Sequence, residues 1–380
     1  MRSEQRVKRA GEWSVPQPAP LQGDAQLVLY FGSRDALADR ALYDEIKALY
    51  PEGHLLGCST AGEIAGHEVL DDSVVATAIH FESTTLRFSQ CDVADAAESE
   101  AVGRRLGTEL SQPALAHVLV FSDGLRVNGA ALARGLNAVL PPGVVATGGL
   151  VGDGARFEKT LIGLDAPPDA GRVVAIGLYG DRLKVGFGSV GGWDPFGPAR
   201  LITRSRDNVL YELDGQPALD LYKKYLGDKA DGLPSTGLLF PLSVKLRESE
   251  DLEVVRTLLA VSEEDQSMTF AGDVPEGCQT RLMRANFDHI VDGAASAATA
   301  SHERLSDGGA QLALLISCIG RKIVLRERID EEVEAVADIL GDDVQFAGFY
   351  SYGELCPTAA DEGQCLLHNQ TMTITTFAEV

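Results

Sequence analysis

The chain has 380 residues, a formal net charge of −23 at pH 7 and a sequence pI near 4.6. This charge repels phosphate backbones and anionic lipid surfaces, so a nucleic-acid partner is disfavoured. No stretch is typical of a signal peptide or a membrane span, and the six scattered cysteines indicate neither a zinc knuckle nor a disulfide framework. We therefore expect a cytoplasmic protein of bacterial type, without membrane insertion and without a required cofactor.

The first 23 residues are rich in proline and polar side chains and predict a flexible leader, with order beginning at Leu27. From there, one pattern recurs three times: an apolar strand, a polar loop, a helix of about three turns, and a second strand ending in glycine and an acid. The three copies span residues 27–63, 117–153 and 312–354. The regular spacing predicts a structural repeat.

Further strands are predicted between and after these copies. The β-rich runs 73–80 and 84–89 are joined by a short polar turn, which is typical of a hairpin. A glycine- and proline-rich crossing at 191–198 precedes a helix that starts at Pro217. We place a domain boundary there. The predicted fold class is α/β with mixed α+β layers: mixed sheets built from repeated strand-helix-strand-hairpin units in two domains, 24–214 and 215–380, after the leader 1–23.

Six motifs in order resemble the FIST (F-box and intracellular signal transduction) family, with its N-terminal and C-terminal halves. They are Gly57-Cys-Ser-Thr-Ala-Gly-Glu-Ile64, Phe121-Ser-Asp-Gly124 with Asn128-Gly129, Gly148-Gly-Leu-Val-Gly-Asp-Gly154, Gln216-Pro-Ala-Leu-Asp-Leu-Tyr222, Phe349-Tyr-Ser-Tyr-Gly-Glu-Leu355 and His368-Asn-Gln-Thr-Met-Thr373. The resemblance implies a sensory module that binds a small ligand, such as an amino acid, and passes its state to a signalling protein such as a histidine kinase. One branch of the family looks like haem-binding nitric-oxide sensors, so haem is a further expectation.

Ligands of crossover units bind beyond the carboxyl ends of the strands, where the repeated motifs lie. The predicted site is the cleft where the three repeat loops meet. Its candidate ligand-binding residues are Cys58, Ser59, Thr60, Glu63, Ser122, Asp123, Asn128, Gly149, Asp153, Arg156, Tyr350, Ser351, Tyr352 and Glu354.

Structural roles compete with ligand binding at several of these positions. Ser33 and Asn128 stand where helix caps are expected. Glu63, Asp153 and Glu354 end related strands, where a carboxylate holds either a ligand cation or a backbone turn. Because repetition itself favours an architectural role, we expect ligand specificity at the residues that differ between the copies.

Two further functions stay open. An enzyme would use Cys58 as nucleophile with His67 or His368 as base, although nothing in the sequence brings these residues together. Haem binding would need an axial ligand, usually histidine, in an apolar pocket. None of the seven histidines can be assigned that role from the sequence.

Overall fold

The structure is a computed structural model that describes residues 1–14, 19–246, 253–305, 309–358 and 363–380. The described helices are α1 (Arg34–Ala38), α2 (Arg40–Leu49), α3 (Ser99–Leu110), α4 (Gly129–Asn137), α5 (Ala218–Leu226), α6 (Phe287–Arg304), α7 (Ile319–Leu325) and α8 (Asp330–Leu340).

The described strands of the first part of the chain are β1 (Arg2–Arg9), β2 (Glu12–Trp13), β3 (Leu27–Gly32), β4 (His54–Ser59), β5 (Glu63–Ala65), β6 (Glu68–Leu70), β7 (Val74–His80), β8 (Thr85–Asp92), β9 (Leu115–Ser122), β10 (Val145–Leu150), β11 (Ile162–Leu164), β12 (Arg172–Tyr179) and β13 (Leu183–Val190). Those of the remainder are β14 (Asp194–Pro195), β15 (Arg200–Arg206), β16 (Val209–Leu213), β17 (Gln216–Pro217), β18 (Leu242–Lys245), β19 (Glu253–Arg256), β20 (Leu258–Ser262), β21 (Ser267–Phe270), β22 (Gln279–Arg284), β23 (Leu312–Cys318), β24 (Gln345–Ser351), β25 (Gly353–Pro357), β26 (Cys365–His368) and β27 (Met372–Glu379).

The three sequence repeats form three mixed sheets of the same design. The first strand of each repeat, β3, β9 or β23, lies between its parallel second strand and an antiparallel strand that follows later. The sheet orders are β11-β4-β3-β7-β1-β2, β26-β25-β10-β9-β12-β8 and β13-β27-β23-β24-β5-β6. The predicted fold class, mixed sheets built from repeated units, is confirmed.

The three sheets exchange strands in a cycle. After β4 the chain crosses to the third sheet, where β5 pairs with β24. After β24 it crosses to the second sheet, where β25 pairs with β10, and after β10 it crosses to the first sheet, where β11 pairs with β4. Each repeat is therefore completed by a neighbour. The crossing loops, which carry the glycine-acid motifs, are brought together at one place.

The pairing of the outer strands differs from two of the predictions. The runs expected to form a hairpin, β7 and β8, lie in different sheets, because β8 pairs with β12 of the second repeat. The predicted flexible leader is wrong for residues 2–9, which form β1 and pair with β7 along its whole length. The α-amino group of Met1 lies 3.3 Å from the carboxylate of Glu379, so the start of β1 lies beside the end of β27. Residues 15–18 of the leader lie outside the described residues.

Strand alternation explains how each sheet is buried on both faces. In β3, Leu27, Leu29 and Phe31 face a central apolar cluster shared by the three sheets, whereas Val28 and Tyr30 face α2. The rings of Phe31, Phe121 and Phe349 meet in this cluster, with centroids 4.8 to 6.3 Å apart. Helices α3 and α4 cover the second sheet, and α6 and α8 cover the third.

A separate sheet is inserted between the second and third repeats. Its strands run in the order β19-β18-β22-β15-β16-β21-β20, with β14 and β17 at its side, and α5 packs on it with its own apolar core. The predicted division at 214/215 falls within this segment. The second and third repeat sheets each contain strands from both sides of that division.

Candidate functional site

The three crossing loops do meet, and they bind directly to one another. The amide of Ala61 donates to the carbonyl of Tyr350 at 2.9 Å, and that of Gly154 donates to Thr60 at 3.0 Å. A Cβ atom at Gly152 would lie 3.1 Å from the Tyr352 ring and 3.2 Å from the Ala61 nitrogen. The loops therefore fill the space between them with their own backbone, and glycine permits this close approach.

Glu63 is buried in this junction and is held by hydroxyl groups. The hydroxyls of Thr60 and Ser73 lie 2.5 and 2.7 Å from its two carboxyl oxygens. Burial raises its pKa to about 7, which these hydroxyls and Lys322 only partly oppose. Much of the Glu63 population is therefore protonated near neutral pH.

Glu354 occupies the corresponding place in the third repeat. The hydroxyls of Ser351 and Thr371 lie 2.7 and 2.9 Å from its carboxyl oxygens, and the Thr371 amide donates at 3.2 Å. Burial raises its pKa to about 8. Both glutamates thus follow a hydroxyl residue by three positions and accept a second hydroxyl from the residue before the antiparallel strand.

Asp153, the third acid, is held by a different set of groups. The amides of Phe157, Glu158 and Lys159 donate to it at 2.9 to 3.1 Å, the Tyr352 hydroxyl bonds to Oδ1, and an Arg34 guanidinium nitrogen lies 3.1 Å from Oδ2. Burial acts to raise the pKa of Asp153, but these donors outweigh it and the pKa is lowered. The carboxylate fixes the turn that follows it.

Most other predicted site residues also serve the junction. Ser59 accepts from the Leu161 amide at 2.8 Å and donates to the Gly152 carbonyl at 2.6 Å. Arg156 donates to the Asp153 carbonyl and pairs with Asp35. The Tyr350 hydroxyl donates to buried Glu332 at 2.6 Å.

The remaining candidates of the first and second repeats are buried. Cys58 lies in the central apolar cluster, where burial raises the pKa of its thiol well above the ordinary value. Asp123 accepts the amides of Leu125, Arg126 and Gly171 at 2.7 to 2.8 Å. Ser122 is buried beside it, and Gly149 packs against Ile316, whose side chain would lie 2.7 Å from an added Cβ.

A cavity of about 590 Å³ opens beside the junction. The second repeat contributes residues 124, 125, 127, 128, 150, 155 and 157, together with residue 96 before α3. The inserted sheet and its loops contribute residues 208, 234, 235, 238, 257–259 and 270–272, and the third repeat contributes residues 318–320 and 352. This volume suits a small organic ligand. Of the predicted site residues, Asn128 and Tyr352 line it. Asn128 also caps α4, as expected, by accepting the Ala131 amide at 3.0 Å.

The described lining of this cavity is predominantly apolar and carries no charged side chain. Leu125, Phe157 and Leu259 lie on it with 40%, 44% and 46% of their surfaces exposed, so three large, exposed apolar side chains are clustered on one cavity. The Phe157 ring stacks on Tyr352 at a centroid distance of 4.5 Å and an interplanar angle of 20°. Sequence reasoning missed this wall. Its signal is weak, since Leu258-Leu259 reads as an ordinary apolar strand although only Leu258 is buried.

The cavity does not offer haem its usual ligand. None of the seven histidines is among the described lining residues. His117 and His368 lie elsewhere, and burial lowers their pKa values to about 3 and about 4. Cys318 supplies a sulfur atom to the lining, but burial raises the pKa of its thiol and disfavours the thiolate that iron requires. The residues present therefore do not fit haem at this place.

Comparison with known proteins defines the class. Residues 26–216 match the FIST N domain and residues 218–357 match the FIST C domain, so the chain belongs to the FIST family. These domains are associated with small-ligand-binding signal transduction. An uncharacterized protein of Methanocaldococcus jannaschii is 24% identical over 375 residues, which cover 90% of this chain and 69% of that protein.

Among solved structures, a cyanuric acid hydrolase from A. caulinodans aligns over 99% of this chain and 98% of its own, with 9% identity and a TM-score of 0.35. A likeness at that score supports no functional inference. Across the described parts of the chain, every helix is too short or too polar to cross a membrane.

Proposed function

We propose that this protein is a small-ligand sensor whose ligand occupies the cavity between the second repeat and the inserted sheet. The proposal rests on which parts of the chain form the walls of this cavity. One wall comes from residues 96–208, within the FIST N match, and the other from residues 234–352, within the FIST C match. A ligand held there contacts both domains at once, so its binding energy can favour one arrangement of the two.

The cavity floor offers a route by which occupancy reaches other parts of the chain. Ile319 and Gly320, at the start of α7, line the cavity. The next residue, Arg321, is fully buried and pairs with Glu332 at 2.7 Å while donating to the carbonyls of Gly191 and Ile290. Movement of α7 would thus change the contacts that Arg321 makes with α6, with α8 and with the crossing before the inserted sheet.

Lys322 extends this contact to the first repeat. Its ammonium group donates to the Ala61 carbonyl at 3.0 Å and pairs with Asp71. Helix α7 therefore connects the cavity to the loop that carries Glu63. We propose that the ligand state is read out by a separate signalling protein, such as a histidine kinase, that contacts these elements.

No catalytic step is part of the proposal. Burial raises the pKa of the Cys58 thiol, and the central cluster around it is apolar. A thiol in these surroundings is a poor nucleophile, because the thiolate is the reactive form.

The test is a thermal-shift screen with amino acids, uncharged aromatic metabolites and haem, repeated on two tryptophan variants. Ala155 is exposed and lines the cavity, so Ala155→Trp places an indole in the ligand space. Ala101 is exposed on α3 and is not among the described lining residues, so Ala101→Trp is the matched control. We expect a stabilising ligand to raise the unfolding temperature of the wild type and of Ala101→Trp but not of Ala155→Trp. Equal shifts in both variants would place the ligand elsewhere and refute the proposal.

The partner is tested with the same variants. Autophosphorylation of a candidate histidine kinase is measured with this protein present, with and without the ligand found in the screen. The proposal expects a ligand-dependent change with Ala101→Trp that Ala155→Trp does not give. A kinase response that is the same with and without ligand would contradict that kinase as the partner.

A further inference from the structure

Phe157 is held at the cavity mouth in a backbone conformation that a bulky residue rarely adopts. Its φ angle is +54°, in the left-handed region, where the Cβ atom of a bulky side chain crowds the backbone. Its side chain is nevertheless 44% exposed, so apolar burial offsets only part of this strain. Such strain is typical of ligand clamps, where the surrounding structure imposes it.

The surrounding structure that imposes this conformation can be named. The Phe157 amide donates to Asp153 Oδ1 at 2.9 Å and approaches the Tyr352 hydroxyl at 3.3 Å. Asp153 also accepts the amides of the next two residues, Glu158 and Lys159, and the ring of Tyr352 stacks on the ring of Phe157. The buried acid of the second repeat therefore serves to present an aromatic face at the cavity mouth.

The other lining residues restrict what that face can bind. The described lining is apolar with a few neutral polar groups, among them Asn128, Asn208 and Ser235. An ionised ligand group would lose part of its hydration there, and no described lining residue would supply an opposite charge. The nearby buried cation, Arg256, packs behind Gly272 and donates to the carbonyls of Asp273, Val255 and Leu367. Its Nε and Nη1 donors are thus directed to the protein's own backbone.

We propose that the ligand of this cavity is an uncharged molecule with a flat, aromatic or conjugated body that stacks on Phe157. The proposal rests on the proposed function, because it assigns the ligand class of the same cavity. Stacking would extend the existing Tyr352–Phe157 pair by one layer, and Leu125 and Leu259 would cover the edges of the bound ring.

The experiment uses three probes of nearly equal size and different charge: 4-acetylbiphenyl, biphenyl-4-carboxylate and 4-(aminomethyl)biphenyl. Their affinities are measured by calorimetry on the full chain at neutral pH. We expect 4-acetylbiphenyl to bind at least about ten-fold more tightly than either ion, since each ion must be desolvated. Binding of either ion as tight as that of the ketone would overturn the inference, as would no binding of the ketone.

Two variants test the aromatic face itself. Phe157→Leu keeps an apolar side chain but removes the ring, and should weaken 4-acetylbiphenyl about three- to ten-fold. Phe287 has the same 44% exposure and is not among the described lining residues, so Phe287→Leu should leave the affinity unchanged. Equal affinity in the wild type and Phe157→Leu would refute stacking on Phe157.

A third variant separates binding from folding. Glycine adopts a positive φ without strain, so Phe157→Gly should keep its unfolding temperature within about 3 °C of the wild type while losing the ketone affinity. A large loss of stability would assign Phe157 to folding instead. If a charged ligand from the screen binds and Ala155→Trp blocks it, the proposed function stands and this inference falls. If Ala155→Trp blocks no ligand, the proposed function itself falls.

Discussion

Replacing Glu63 with glutamine removes a titrating proton from the loop junction while keeping the shape of the side chain. Both groups that contact the carboxyl oxygens are hydroxyls, those of Thr60 and Ser73. A hydroxyl donates or accepts equally well, so it can rotate to satisfy the amide of glutamine. We therefore expect Glu63→Gln to fold and to resemble the protonated wild type.

The expected effect on stability depends on pH. The pKa of Glu63 is raised from 4.5 to about 7 in the folded protein. Below the unfolded pKa both states carry the proton and the two forms of the protein differ little. As the pH rises, the unfolded chain releases the proton first, so the stability of the wild type falls until the folded pKa is passed. At about 1.4 kcal/mol per pKa unit, the loss amounts to about 3 kcal/mol.

The assay is urea unfolding at several values between about pH 5 and about pH 8, comparing each variant with the wild type. Relative to wild type, Glu63→Gln should gain about 3 kcal/mol across this range. Glu354, whose pKa is also raised, titrates in both proteins and cancels in the difference. The exposed Glu52 provides the control, since Glu52→Gln should follow the wild type. Parallel stability curves for Glu63→Gln and wild type would show that Glu63 is ionised in the folded state and would refute the reasoning.

Three further outcomes are expected, for a buried cysteine, a buried ion pair and the terminal strand β1. Cys58 should react with a thiol reagent only as fast as the protein unfolds, which peptide mass spectrometry measures; fast native labelling would contradict its burial. Arg321→Met should cost about 3–5 kcal/mol in urea unfolding because it leaves Glu332 buried without its cation. Adding Glu332→Gln, which removes the charge and keeps an acceptor for the Tyr350 and Ser317 hydroxyls, should recover part of that loss; no recovery would argue against the unpaired charge as the cause. Deleting residues 2–9 should lower the unfolding temperature and promote association seen by light scattering, because it exposes the edge of β7; an unchanged protein would contradict β1 as a structural strand.

The repeat architecture could be predicted because each repeat has a local apolar periodicity that the sequence shows directly. Apolar runs such as Leu27 to Phe31 and the helix that follows them are visible in the sequence, and so is their threefold recurrence. The partner of each strand is not. β7 and β8 are adjacent in sequence and look like a hairpin, but β8 is needed beside β12 to complete another sheet. The pairing of β8 with a strand that is distant in sequence takes precedence over the short turn that joins it to β7. A local sequence pattern does not indicate such long-range pairing.

The site divides in the same way. The convergence of the crossing loops followed from the repeat, and the caps at Ser33 and Asn128 followed from helix chemistry. The cavity wall did not, because the inserted sheet brings Leu258 and Leu259 to the second repeat across more than a hundred residues of sequence. Phe157 was also hidden, since a left-handed φ at phenylalanine has no sequence signal.

Hydrogen exchange measured with and without the ligand that the thermal-shift screen identifies tests the central claim most directly. A ligand in the cavity should slow exchange at 124–128 on the FIST N side and at 234–238 and 257–259 on the FIST C side in the same experiment. Protection of both walls is the predicted result. Protection confined to one domain, or to segments away from the cavity, would contradict the account.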